Sequence, residues 1–232
     1  MTSPLVVLER QQSVWIVRMC AHENLINTPM LDALEAALDE IERDTSDAAF
    51  VITGEGKYYS TGFDPAALAA PDVAADIVDR ATRLCARLLS FPVPSCAAIN
   101  GHAFGIGGMI GLSQDFRVMR ADRGYLCFPE LALGYPLHPG MYALLSHRIP
   151  LATLSEMLLA GVRVGGSRAS TERVVDEATA EADVLPRAIE RAHALVGADW
   201  RLYAEYKRHL HRVPLAAIEG ETSFRFPPIA RR

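Results

Sequence analysis

The stretch "PVPSCAAINGHAFGIGG", Pro92 to Gly108, decides how the chain is read. Its first half is a short apolar run after two prolines, which reads as a buried strand. Its second half carries Gly101, Gly105, Gly107 and Gly108, which permit close backbone approach where a strand passes into a helix. Just upstream, Pro71 to Leu89 has the period of an amphipathic helix ended by "FPVP". The same plan precedes it. "VWIVRM" (Val14 to Met19) and "AAFVITG" (Ala48 to Gly54) are β-rich runs on either side of a helical stretch. That helix starts with Thr28 as a hydroxyl cap and Pro29 at the first helical position, and Leu31, Leu34, Leu38 and Ile41 form its apolar stripe. "DFRVMR", Asp115 to Arg120, is a further strand. From Met141 nearly to Pro214 the pattern is helical, and beyond it "LAAIEGETSFRFPPIARR" has no clean period. The reading is an α/β domain over 1–213, with a core to about 150 and a helical part over 151–213, followed by a partly ordered tail over 214–232.

With 232 residues, half of them hydrophobic and 22% charged, the chain can bury a large core. A formal net charge of -5 gives no bulk attraction to a polyanion, which disfavours nucleic acid as a partner. Cys20, Cys85, Cys96 and Cys127 form no C-x-x-C pair, and three of them lie in apolar runs, so they read as reduced thiols. His209 and His211 stand two apart, off a common helical face, so no metal site is expected there. The start "MTSPLVVLERQQ" lacks a basic region followed by an apolar stretch, and no run of about eighteen apolar residues occurs. A soluble, cytoplasmic protein without membrane contact is expected.

Two loops can present backbone N–H groups. "KYYSTGFD", Lys57 to Asp64, follows the strand "FVITG" and places Gly62 where the chain turns toward a helix. "NGHAFGIGGMIG", Asn100 to Gly111, collects N–H groups at a helix start. Neither is a nucleotide motif: Ile110 stands where the last glycine of G-x-G-x-x-G belongs, and no G-K-[ST] occurs. A third feature is Glu130, alone among apolar residues in "GYLCFPELALG", Gly124 to Gly134. Two donors aimed at one carbonyl oxygen, plus a carboxylate in an apolar pocket, are the parts needed to take a proton from a carbon beside a thioester. Cys127, Phe128, Leu131 and Leu133 supply an apolar setting that disfavours the charged form of Glu130 and raises its pKa.

From the opening strand to about Leu210 the sequence resembles the enoyl-CoA hydratase/isomerase, or crotonase, superfamily. The matches are "ITGEGKYYSTGFD", the Pro92–Gly108 stretch, "DFRVMRADRG", "FPELALG" and "LLAGVRV", in family order. The resemblance implies a crotonase (ClpP/crotonase-like) fold of repeated ββα units, with two near-perpendicular sheets and C-terminal helices used in trimer contacts. It further implies a CoA thioester as substrate, no cofactor, and a homotrimer or dimer of trimers. Carried onto this chain, the thioester oxygen lies between the backbone N–H groups of Thr61 and Ile106. Ser60, Gly62, Phe63, Gly105 and Gly107 belong to the same loops, with Leu68 as a pocket wall beside Phe63. Asp64 reads as a helix-start brace, and His138, in "YPLHPGM", as a neighbour of the acyl pocket. The backbone of Leu25 and Ile26 is implied at the adenine end, with Arg18, His22 or Lys57 near a phosphate, while Lys207 and Arg208 read as a solvated face.

Hydratases of this family resemble one another in carrying two glutamates, one just after the glycine loop and one in the "PE" loop. Here the first position is Met109, a thioether that neither takes a proton at neutral pH nor orients water well. The single-glutamate pattern looks like the Δ3-Δ2-enoyl-CoA isomerases of fatty acid metabolism, in which Glu130 alone would move the proton. Two alternatives stand beside it: a hydratase or other crotonase-type reaction, and an acyl-CoA binder without turnover.

Overall fold

The computed structural model describes residues 4–44, 46–69 and 71–220. Strands β1 (Val6–Gln11) and β2 (Val14–Met19) form an antiparallel hairpin, with Val6 opposite Met19 and Gln11 opposite Val14. After helix α1 (Thr28–Arg43) one unit recurs: a strand, a short second strand, then helix. Its copies are β3 (Ala49–Gly54), β4 (Tyr58–Ser60), α2 (Pro65–Leu68) and α3 (Pro71–Ser90); β5 (Ser95–Ile99), β6 (His102–Phe104) and α4 (Ile106–Leu112); and β7 (Phe116–Arg120), β8 (Tyr125–Cys127) and α5 (Glu130–Leu133). There follow α6 (Pro139–Arg148), α7 (Leu151–Leu159), β9 (Val164–Gly165), α8 (Gly166–Thr171), β10 (Glu177–Thr179), α9 (Glu181–His193), α10 (Trp200–Leu210) and α11 (Arg212–Gly220).

The first strand of each unit joins a six-stranded sheet of order β1-β2-β3-β5-β7-β10, and the second joins a four-stranded sheet of order β4-β6-β8-β9. Beyond the β1–β2 hairpin every pair in the large sheet is parallel. Its central strands β3 and β5 are buried along their whole length, because helices cover both faces. Val184, Ala188 and Ala192 of α9 pack on one face against Val51, Cys96 and Val118. The other face joins the main core with α1, α3 and α4, where the stripe Leu31, Leu34, Leu38 and Ile41 is fully buried as its spacing predicts. The acidic side of α1 meets α3, with Arg80 bridging Asp32 and Glu35 and Arg87 bridging Asp39 and Glu42.

Five expectations need correction. The cap of α1 is Asn27, whose Oδ1 accepts from the Met30 N–H at 3.1 Å, while Thr28 is already helical. β1 was not expected; its far half is exposed, so no apolar alternation marks it. β9 and β10 interrupt the region read as wholly helical, and at two and three residues they are too short to carry a period. The tail does not begin at 214. Pro214 lies in the first turn of α11, where a missing N–H loses no bond, and Leu215 and Ile218 are buried; the expected tail beyond 220 lies outside the described residues. Lys207 is 5% exposed rather than on a solvated face. Its Nζ lies 2.8 Å from Asp115 Oδ1 and donates to the Leu88 carbonyl, and Tyr203 donates to the other Asp115 oxygen, which ties α10 to the end of α3 and to the residue before β7. Among the described residues no helix is long and apolar enough to cross a membrane, and no group of His, Cys, Asp and Glu could hold a metal ion.

Candidate active site

The first loop is built by what precedes α1. The segment after β2 runs alongside residues 58–64 and claims their polar groups in turn. Asn24, buried and held at φ 50°, donates its side-chain amide to the carbonyls of Tyr58 and Tyr59. The Thr61 N–H donates to the Glu23 carbonyl at 3.0 Å, Ile26 N–H to the Gly62 carbonyl, and Asp64 N–H to the Ile26 carbonyl. Gly62 donates to Ser60 Oγ at 3.2 Å. Thr61 is therefore corrected as an open donor: its N–H is spent within the fold. The N–H that remains unpaired among the described residues of this turn is that of Phe63, because the parallel bridge to Ile26 engages the residues on either side of it.

The second loop delivers Ile106. Gly105 caps α4 at φ 51°, a conformation that L side chains rarely adopt, and its own N–H donates to the Cys127 carbonyl. Ile106 is then the first helical residue, and its N–H has no intrahelical partner. Both Phe63 and Ile106 line a cavity of about 160 Å³ together with Glu130.

Glu130 opens α5, after Phe128 and Pro129 carry the chain from β8 to the cavity. Its Oε2 is buried and has no hydrogen-bond partner, and its Oε1 is 3.0 Å from where a Cβ on Gly105 would sit. Burial pushes its pKa up to about 7, opposed by its own backbone N–H. The expected apolar setting is partly wrong. Cys127 and Phe128 are buried, but Leu131 is 63% exposed and Leu133, at the cavity rim, 57%. The enclosure comes instead from Tyr135, Pro136, Leu137 and Met141, from the segment and helix that follow. Met109 lines the cavity at 0% exposure, so Glu130 is its one acid among the described residues.

The other expected residues divide. Phe63, Leu68, Gly62 and Gly105 line the cavity. Asp64 caps α2 by accepting from the Ala66 N–H and from Asn27 Nδ2, as a helix-start brace does. His138 is 2% exposed and caps α6, its Nδ1 accepting from the Gly140 N–H; it stands behind the wall, outside the cavity lining. Ser60 is fully buried with Gly107 packed against it, and neither is among the residues that line the cavity. Ile26 is buried, whereas Leu25 lines a separate surface depression with His22 and Glu23. Lys57 lies over the Tyr58 ring with no carboxylate partner among the described residues, whereas Arg18 is paired with Glu9. Sequence reasoning missed Asn24 and the Phe63 N–H; a buried Asn at positive φ leaves a weak signal, and the open amide leaves none.

The repeated ββα units, the two sheets and the helices that follow them define the crotonase fold. An enoyl-CoA hydratase/isomerase family model matches residues 9–219, and the chain belongs to that family. It is 28% identical to the peroxisomal enoyl-CoA delta isomerase 1 of Arabidopsis thaliana, over 92% of each chain. It is 30% identical to the 2,3-dehydroadipyl-CoA hydratase of Escherichia coli, over 95% of this chain and 81% of that one. The apo structure of an enoyl-CoA isomerase from Mycobacterium tuberculosis superposes with a TM-score of 0.89 at 28% identity, over 94% of this chain and 96% of that one.

Proposed function

We propose that the chain is a Δ3-Δ2-enoyl-CoA isomerase using Glu130 as its single acid/base group. The observation that carries this reading is the Glu130 carboxylate, with its buried Oε2 unpartnered, in an apolar cavity that among the described residues has no second acid and is lined by Phe63 and Ile106, whose N–H groups have no backbone partner. In the first step Glu130 takes a proton from C2 of a 3-enoyl thioester, and the electron pair moves through the carbonyl to its oxygen as a dienolate. The N–H groups of Phe63 and Ile106 donate to that oxygen where its charge develops. Glu130, now protonated, gives the proton to C4, and the double bond is left between C2 and C3. Nothing is consumed. A pKa of about 7 suits a group that must both take and give a proton at neutral pH. We assign the nucleotide end of CoA to the depression beside Leu25, with Lys57 available to a phosphate. Exposed Leu202, Tyr206 and Leu210, spaced along one face of α10, support its use in subunit contacts within a trimer.

The test is the rise in conjugated-thioester absorbance on 3-hexenoyl-CoA, with Glu130→Gln expected to lose about 10²–10⁴-fold in kcat; unchanged turnover in that variant overturns the assignment. A hydratase reading draws on the likeness to the dehydroadipyl-CoA enzyme, and faster hydration of crotonyl-CoA than isomerisation would favour it.

A further inference from the structure

We propose that Ser60 is the positioning residue that holds both carbonyl-binding amides in place. The inference rests on the isomerase reading and adds to it a residue that never touches substrate. Ser60 is 0% exposed and ends β4, at an irregularity where Tyr58 pairs with His102 but Ser60 already pairs with Ala103. Such bulges re-aim side chains beside functional sites.

Three contacts meet at its hydroxyl. Ser60 Oγ donates to the Asn24 carbonyl at 2.7 Å and accepts from the Gly62 N–H at 3.2 Å. The first bond ties the turn to the segment after β2. The second takes up the Gly62 N–H, one residue before Phe63, and fixes the peptide orientation from which the Phe63 N–H emerges. The third contact is steric. A Cβ on Gly107 would stand 2.5 Å from Ser60 Oγ and 2.6 Å from its Cβ, so the first turn of α4, which begins at Ile106, sits directly on Ser60. One buried side chain thus braces the peptide carrying each donor, one by hydrogen bonds and the other by contact. Small size and a hydroxyl are both required. Alanine removes the bonds, leaving the Gly62 N–H and the Asn24 carbonyl buried without this partner.

The experiment compares wild type with Ser60→Ala in two readouts: turnover of 3-hexenoyl-CoA, and the infrared C=O band of bound [1-¹³C]hexanoyl-CoA, a saturated thioester that cannot isomerise. Hydrogen bonds to the carbonyl lower that frequency, and a role confined to stability would leave it where the wild type has it. Ser60→Ala is expected to lose about tenfold or more in kcat with KM little changed, in line with weakened oxyanion donors, and to show a smaller band shift. Wild-type kcat and band position in a folded Ser60→Ala protein overturn the inference while leaving the isomerase reading intact. A wild-type protein showing neither turnover nor band shift overturns the isomerase reading, and this inference with it. Should alanine prevent folding, Ser60→Cys puts a larger atom with weaker hydrogen bonds at the same place and so disturbs both contacts; reduced kcat and shift support the inference, and wild-type values overturn it.

Discussion

Glu130 makes a demand on stability that can be measured apart from catalysis. Its pKa is 4.5 in an unconstrained chain and is pushed up to about 7 by burial in the fold. A carboxyl whose folded pKa is raised contributes stability that is fully present below pH 4.5 and is lost as the pH rises through about 7, because the unfolded chain gives up the proton first. Integrating that linkage between pH 5 and pH 8 gives a loss of about 2.5 kcal/mol, reduced to about 2 kcal/mol by partial solvent screening. Glu130→Gln removes the ionisation. Burying the amide has a cost of its own, but that cost does not change with pH, so the change in the difference between the two proteins isolates the carboxylate. In a domain of this size, about 2 kcal/mol corresponds to a shift of about 4–8 °C in Tm. Thermal melts at pH 5 and pH 8 should therefore show the variant gaining on the wild type by that amount as the pH rises. In the same window the kcat/KM of the wild type on 3-hexenoyl-CoA should climb with a midpoint near 7, since the base must be ionised in the free enzyme. A Tm difference independent of pH, or an acid limb near an ordinary carboxylate value, would refute the claim that the fold strips Glu130 of solvent and partners.

Two further expectations follow from neighbouring geometry. Gly105→Ala forces a Cβ to within 3.0 Å of Glu130 Oε1 at a backbone φ of 51°; kcat should fall about 100-fold or more while circular dichroism stays native, and near-normal turnover would show that the carboxylate does not sit over this peptide. His211 is buried, with its Nδ1 3.0 Å from Nε2 of the exposed His147 and with Arg148, Lys207 and Arg117 nearby, and burial holds its pKa down to about 3 against 6.5 unperturbed. A base with a lowered pKa loses stability as the pH falls below 6.5, by about 2 kcal/mol between pH 7 and pH 5. His211→Asn should flatten that part of the Tm profile, and an unchanged slope would place the proton elsewhere.

What was legible in the sequence was whatever a local pattern can encode. The stretch from Pro92 to Gly108 combines an apolar run with glycines, and it forms β5, β6 and the entry to α4 as read. Glu130 stood out because a lone carboxylate among apolar residues is conspicuous, and the fold puts it in the cavity. The failures were non-local. Which amide of "STGFD" stays open is decided by residues 23–26, which reach it through the fold; no feature of the motif itself separates Thr61 from Phe63. Lys207 sits in an otherwise solvated helix pattern, and its burial is explained by partners distant in sequence, Asp115 just before β7 and the Leu88 carbonyl. Leu131 and Leu133 were misjudged for the opposite reason: hydrophobic side chains beside a functional group need not enclose it, and here the chain turns at Gly134 and covers the carboxylate with the next segment.

Among the described residues, the cavity leaves a buried carboxylate with no donor from another residue. Other buried atoms lack partners, Arg117 Nε and Arg148 Nε among them, but those guanidinium groups are engaged through their other nitrogens. Neither Glu130 oxygen meets a donor from another described residue, and Phe63 and Ile106, whose N–H groups have no backbone partner among the described residues, line the same 160 Å³. Each such group costs on the order of 1–3 kcal/mol when buried unsatisfied. A cost carried at three converging points is best explained by a ligand that relieves it. Under the proposed isomerisation, a thioester carbonyl would satisfy the two amides, and the carboxylate would find its partner when it takes the proton. On that proposal, the groups left open on folding would be matched to charge that develops during reaction, which is the condition for stabilising a transition state more than a ground state.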